Sequence, residues 1–407
     1  MKKQVIFMII LFSMLIVWSS CDDYATGVDP IIDAVQDELL TSENQVEFLI
    51  NGVEARFATT CDLITVLGDL LSDALFFDYN CPNATYPTWS DINDGVITLD
   101  NNSVDGVFFN VGELRFFADD LIRRVGNIDF EDEALKKEAL FTGSFYGAIA
   151  RYFYATYFGL TQEQGGGIIS IDEPGPFIPS AEMYDLALEK FDAALSYTDD
   201  EYMKRVINSL IARIHLYKGD YPSATTFAQN GLAEGEEPFQ SLYNIESQNN
   251  WYIHAGIQRT QGTADYRFHD YIVEDANEAN RVIIEEFVGN DGTTIYYRQF
   301  KYPENTSPIV FVSWQENELM LAETELRGGN SAGALARINN IRATHGIDAL
   351  TAVDLDVLYV ERDKELCFTG LRLPDQRRFD KWHLGPGTWK YLPITERERN
   401  INPNIGP

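Results

Sequence analysis

Gly329-Asn330-Ser331-Ala332-Gly333 has the G-x-S-x-G spacing that in hydrolases holds a serine hydroxyl on a sharp turn between a strand and a helix. Helical patterns flank it on both sides here, so Ser331 is read as a helix cap and not as a nucleophile. Asp91-Ile92-Asn93-Asp94-Gly95 has the beginnings of a calcium loop, but its glycine comes one residue early and no glutamate stands at the twelfth position. The five histidines are dispersed, with no H-E-x-x-H and no other metal-ligand spacing. Among 63 Asp and Glu some carboxylate pair is inevitable, so a pair carries no signal for glycoside hydrolysis. Beyond Cys21 the cysteines are Cys61, Cys81 and Cys367, without C-x-x-C spacing. Cys61 and Cys81 are free to close a short loop or to stay as thiols, and Cys367 reads as a small buried hydrophobe in an apolar segment. The expectation is a protein that is not an enzyme and holds no metal and no cofactor.

The remaining chemistry is that of rings and hydrogen-bonding groups. There are 25 Phe, 21 Tyr and 6 Trp, enough to fill a core, to line a ligand surface, or both. Residues 76–106 mix turn formers with Tyr79, Tyr86 and Trp89, which describes an ordered loop. Residues 236–312 scatter Trp251, Tyr252, Tyr266, Phe268, His269, Tyr271, Tyr296 and Tyr297 among Gly, Asn and Asp, with a short strand predicted over 294–300.

Helices must position these segments. Glu133 to Phe158 is one long helical pattern, and Ser180 is read as the N-cap of a helix ending near Tyr197. Leu210–Leu232 and Met320–Arg342 repeat each other at an offset of 110 residues, with Gly219-Asp220 falling on Gly329-Asn330 and Ala212, Leu216 and Ala224 on Ala322, Leu326 and Ala334. Small residues recurring around a glycine turn predict tetratricopeptide-like hairpins, which stack to bury one face; an ordinary helix bundle has the same periodicity. The fold class expected is mostly α, a helical-hairpin scaffold with irregular loop and short-strand insertions.

At the N-terminus, Lys2 and Lys3 precede an apolar run from Val5 to Trp18 broken by Ser13, and small residues precede Cys21. That order is a signal peptide, with an apolar stretch too short to span a bilayer. Ser19-Ser20-Cys21 resembles a bacterial lipobox whose cysteine is lipidated, and Asp22-Asp23 resembles the surface-export tag of Bacteroidota lipoproteins. Asp29-Pro30 reads as a helix start running on through Ile31, Ile32, Val35 and Leu39 and, less cleanly, through Val46, Phe48, Leu49 and Val53. The net charge of −32 grows more negative once Lys2 and Lys3 are removed, which argues against a nucleic-acid partner.

The C-terminal third is the most specific part. Glu318-Leu319-Met320-Leu321-Ala322-Glu323 leads into the hairpin ending at Arg342-Ala343. Glu361-Arg362-Asp363-Lys364-Glu365-Leu366-Cys367-Phe368-Thr369-Gly370-Leu371-Arg372 follows, then Asp375, Arg377-Arg378, Tyr391-Leu392-Pro393-Ile394 and Asn402-Pro403-Asn404. In order and spacing these residues resemble the SusD/RagB family of Bacteroidota nutrient-uptake lipoproteins. The resemblance extends to Lys137–Phe158 and Leu210–Leu232, with departures at Thr369, Leu371 and Leu373-Pro374. It implies a SusD-like α-α superhelix divided into a signal peptide (1–20), a lipidated tether (21–34), an N-terminal helical region (35–235) and a C-terminal region with an aromatic insertion (236–407). It also implies an oligosaccharide or peptide ligand, a TonB-dependent outer-membrane transporter of the SusC type as partner, and a surface-exposed outer-membrane location through Cys21. The segments matching the family's binding loops carry Tyr79, Tyr86, Trp89 and Asp91, and Trp251, Tyr252, Tyr266 and Tyr296, with Trp89 and Trp251 foremost. The second reading is an envelope scaffold whose repeats bind other proteins. Arg372, Asp375, Arg377 and Arg378, beside Glu361 and Glu365, are read as an ion network that holds helices together.

Overall fold

The computed structural model describes residues 40–171 and 173–406. The expected signal peptide, the expected lipidation site Cys21 with its tether, and the helix start expected at Asp29-Pro30 lie outside the described residues.

The chain is mostly helical, as the sequence predicts. Among the described residues, six helices form its first half: α1 (Val46–Leu71), α2 (Pro87–Asn93), α3 (Asn102–Val125), α4 (Glu133–Tyr157), α5 (Ser180–Tyr197) and α6 (Glu201–Lys218). The second half holds α7 (Tyr221–Ala228), α8 (Asn250–His254), α9 (Tyr266–Glu274), α10 (Trp314–Arg327), α11 (Ser331–Thr344), α12 (Leu355–Glu365), α13 (Arg372–Arg378) and α14 (Glu396–Ile401). Side chains that accept from first-turn amides start many of them: Asn101 for α3, Asp132 for α4, Asp200 for α6 and Ser313 for α10.

α4 is the centre. Every residue from Thr142 to Tyr157 is buried, so neighbours surround this helix on all sides and a one-sided apolar stripe would not serve it. α3 packs closely on it where Gly143 sits, since a Cβ there would lie 2.6 Å from Ile122 Cγ1 and 2.7 Å from the Ala118 carbonyl. The repeat is realised as two hairpins, α6–α7 and α10–α11. They turn at Gly219 and Gly329, both left-handed at φ 76° and 83°, and share a small apolar seam of Ala212, Leu216, Ala224, Ala228, Met320 and Leu321. Two expected caps are corrected. Asn330, not Ser331, caps α11 by accepting from Gly333 N at 3.1 Å, because the residue before the first helical one reaches back to that amide. Ser180 is the first residue of α5 and donates its hydroxyl to the Ala155 carbonyl.

Short strands tie the insertion to α1. β1 (Leu75–Phe76) directly follows α1. It pairs antiparallel with β6 (Thr263–Ala264), which in turn pairs with β8 (Ile295–Gln299), beside its hairpin partner β7 (Ile284–Val288). The other strands are short two-membered pairs: β2 (Phe158–Gly159) with β10 (Leu392–Pro393), β3 (Gly166–Ile168) with β4 (Phe177–Pro179), and β5 (Phe239–Ser241) with β9 (Ile309–Val312).

The inner face of α1 is partly polar. Asp62, Thr65 and Asp69, at helical spacing, are all buried. Asp62 Oδ2 accepts from the backbone N and the Nδ2 of Asn250 at 2.9 and 2.8 Å, Thr65 Oγ1 accepts from Trp251 Nε1 at 3.0 Å, and Asp69 Oδ2 accepts from Gly370 N at 3.1 Å. Gly370 fits because its φ is 79° and a Cβ there would lie 2.8 Å from Thr65 Cα. Cys61, Cys81 and Cys367 are buried thiols with no bond between them, so the Cys61–Cys81 loop closure does not form.

Burial pushes the carboxyl of Asp62 up to about 7 and that of Asp69 to about 8. The native state therefore binds these protons more tightly than the unfolded chain, where an aspartate titrates near ~4. The stability they contribute is present at low pH and is lost as pH rises from about 4 through about 8. Asp69→Asn should flatten that decline, measured as the denaturation midpoint at pH 5 against pH 8.5. A variant that keeps the parent's full decline would contradict this assignment.

Candidate functional site

The segment of residues 77–93, a loop that follows β1 and ends in α2, is held from two sides. Gln261 fixes its second half: Oε1 accepts from Thr85 N and Tyr86 N, both at 3.0 Å, and Nε2 donates to the Asn83 carbonyl. The β7–β8 turn fixes its first half: Asn290 N donates to the Asn80 carbonyl at 2.7 Å and Asp291 N to Asn80 Oδ1 at 3.0 Å. Tyr296 closes the arrangement, donating its hydroxyl to Asp78 Oδ2 at 2.7 Å and accepting from Asn80 Nδ2 at 3.1 Å.

This framework sorts the expected ligand residues. Trp251 is 0% exposed. It packs against Tyr302 and Phe368 with its indole N–H spent on Thr65, so it is a core residue and the expectation of a stacking platform there is corrected. Trp89, at 3% exposure, is likewise corrected to a supporting ring, 5.6 Å from His254 and 6.4 Å from Tyr86. Tyr296, at 3%, stacks on Phe287 at 5.6 Å and acts as a strut. For Trp251 and Tyr296 the polar handle of a large ring finds a long-range partner inside.

Three other rings reach solvent. Tyr79 is 59% exposed and edge-on to Phe77. Tyr266 is 41% exposed, stacked on Phe76 at 5.5 Å, and donates its hydroxyl to the Ile295 carbonyl at 3.0 Å. Tyr86 is half-buried and accepts from Arg259 Nη1 at 2.6 Å, with the guanidinium 5.6 Å from its ring. Tyr252 and Asp91 are half-buried on the same two segments, and the Asp91 carbonyl accepts from Val96 N.

Arg259 and His254 flank Tyr86, buried Gln261 braces the backbone beneath it, and Asp78 and Asn80 hold Tyr296; none of the five was singled out from sequence. His254 stays neutral because burial and the nearby Arg259 charge push it down to about 4. The turn-forming Phe77-Asp78-Tyr79-Asn80 is a local signal that could have marked Asp78 and Asn80; Gln261 and His254 act through contacts to segment 77–93 that no local pattern encodes. The arrangement offers flat ring faces edged by amides, carboxylates and a guanidinium. It can stack and hydrogen-bond a ligand, and it contains no paired nucleophile and base.

Substitution should separate the two kinds of ring. Trp251→Ala should cost about 3–5 kcal/mol of stability, as for a large aromatic removed from a core, whereas Tyr79→Ala and Tyr266→Ala should each cost about 1 kcal/mol or less, by chemical denaturation. Equal losses at Trp251 and Tyr266 would contradict the division.

No protein-family model matches the sequence, and no curated protein matches it. Solved structures do match. A SusD superfamily protein from Bacteroides thetaiotaomicron superposes with a TM-score of 0.75 at 16% identity, covering 89% of this chain and 98% of that one. A putative sugar binding protein from Bacteroides vulgatus gives 0.70 at 17%, covering 89% and 97%. Surface glycan-binding protein A from Bacteroides uniformis gives 0.67 at 14%, covering 89% and 98%. With nearly the whole of each chain aligned, and as the motifs of its C-terminal third imply, this chain has the fold of the SusD superfamily.

Proposed function

We propose that the protein is a nutrient-binding lipoprotein that captures an oligosaccharide on the face built from Tyr79, Tyr86 and Tyr266, with Tyr252 and Asp91 beside them. In this reading it passes its cargo to a TonB-dependent transporter barrel of the SusC type and is held at the outer-membrane surface through Cys21. The observation that carries the proposal is the exposure of Tyr79 and Tyr266 on segments braced by Gln261, Asp78 and Asn80. Rings held firmly and left bare suit the apolar face of a sugar ring, while the flanking amides, carboxylates and Arg259 suit its hydroxyls. Sugar is favoured over peptide because proteins of this fold include one that binds laminarin and a surface glycan-binding protein.

The scaffold reading expects exposed apolar surface along the repeats. Among the described residues, none of the exposed large hydrophobic side chains lies within α6, α7, α10 or α11, which favours the binding reading.

Calorimetry of the purified protein against neutral oligosaccharides and peptides tests it. A neutral oligosaccharide should bind, and Tyr266→Ala and Tyr79→Ala should each weaken it by roughly tenfold, about 1.4 kcal/mol, with thermal stability kept. Binding of peptides alone, or affinity unchanged in both variants, would overturn the proposal.

A further inference from the structure

A second cleft, of about 390 Å³, opens between the end of α4, the start of α5, the end of α6 and α13. It shares no residue with the tyrosine face. In a chain carrying 63 acidic residues against 31 basic ones, its wall holds Lys218, Arg377 and Arg378 and no acidic side chain.

The charges here balance unevenly. Lys218 pairs with Asp185, and Arg378 with Glu323 and Asp375 at 2.6 and 2.8 Å, so those two cations are matched by carboxylates outside the cleft wall. Arg377 has no carboxylate partner among the described residues. It donates from Nη1 to the Lys390 carbonyl at 2.6 Å and from Nη2 to the Thr156 carbonyl, leaving three of its five N–H donors uncommitted. Its guanidinium lies 4.2 Å from the centre of the Tyr391 ring, which holds it in place. One uncompensated positive charge therefore remains, on a planar fork suited to a carboxylate. The first turn of α5 adds Ser180 and Ala181 to the wall. Tyr184, Tyr217 and Tyr391 supply the remaining walls. The volume and ring-lined shape suit a single small ring or a chain of similar size.

We propose that this cleft binds a small organic monoanion whose carboxylate lies against Arg377 and Lys218 and whose carbon skeleton packs on the tyrosines, a sugar acid being the chemistry that fits both parts. The site is independent of the oligosaccharide face: either can fail without the other.

Glucuronate is the probe and glucose the control, since they share a ring and differ in the carboxylate. Calorimetry of the protein at low ionic strength should give saturable binding of glucuronate and none of glucose. Arg377 braces two backbone carbonyls and its loss could disturb the fold, so Lys218→Glu carries the test. Its pair with Asp185 is at the surface and contributes little stability, and the substitution should weaken glucuronate at least tenfold while the unliganded melting temperature is kept. Asp185→Asn, which frees Lys218, should tighten binding severalfold. Failure of glucuronate to saturate, equal binding of glucose, or affinity in Lys218→Glu within twofold of the parent would overturn the proposal.

Discussion

Buried charge must be neutralised where it stands, and in this protein that requirement converges on one short helix. Glu361, Arg362, Asp363 and Glu365 are all buried in α12, and with Lys364 they reach in several directions. Glu361 meets Arg281 and Arg342, Arg362 meets Asp375, Asp363 meets Arg267, Lys364 meets Glu278, and Glu365 meets Arg281 and His345. These partners come from the insertion, from the second repeat hairpin and from α13, so one helix fixes three parts of the molecule. Such a network is not an efficient way to gain stability, because desolvation cancels much of the attraction, but removing one partner strands a charge in the interior at a cost of about 3–5 kcal/mol. It therefore specifies geometry: Arg267, next to Tyr266, must stay where Asp363 can reach it.

A second pair serves the helical half in the same way. Arg213 on α6 is 1% exposed and meets Glu316 on α10 through Nε and Nη2 at 2.6 and 2.5 Å. Its guanidinium lies 5.5 and 5.2 Å from the rings of Tyr152 and Phe311. The two repeat hairpins thus share their charged contact with the central helix α4, which carries Tyr152.

The sequence made legible whatever depends on local pattern. The run from Glu133 ended within one residue of the observed α4, the glycines at 219 and 329 marked both hairpin turns, and the strand expected over 294–300 is β8. The ion network was legible in outline because Arg, Asp and Glu so close together in an apolar context must pair. Arg377 is the exception, spending its donors on backbone carbonyls. Only the start of α1, through Val53, was legible, because Asp62, Thr65 and Asp69 interrupt its later apolar stripe, and those polar residues face Asn250, Trp251 and Gly370 from distant parts of the chain. One of these long-range bonds explains why Trp251 misled, and ring contacts with Tyr86 and His254 explain why Trp89 did. Composition cannot tell which ring finds an interior partner, and the less conspicuous tyrosines at 79 and 266 are the exposed ones.

The segment that carries Tyr266 is linked to the scaffold through the Arg267–Asp363 contact, with nitrogen-to-oxygen distances of 2.8 and 3.0 Å and Tyr271 donating to the same carboxylate at 3.0 Å. Native-state hydrogen exchange on Asp363→Asn tests this most directly. If buried charge holds the insertion in register, amides of α9 and β6 should lose protection by an order of magnitude or more while those of α3 and α4 keep theirs. Protection of α9 and β6 unchanged from the parent would contradict the account.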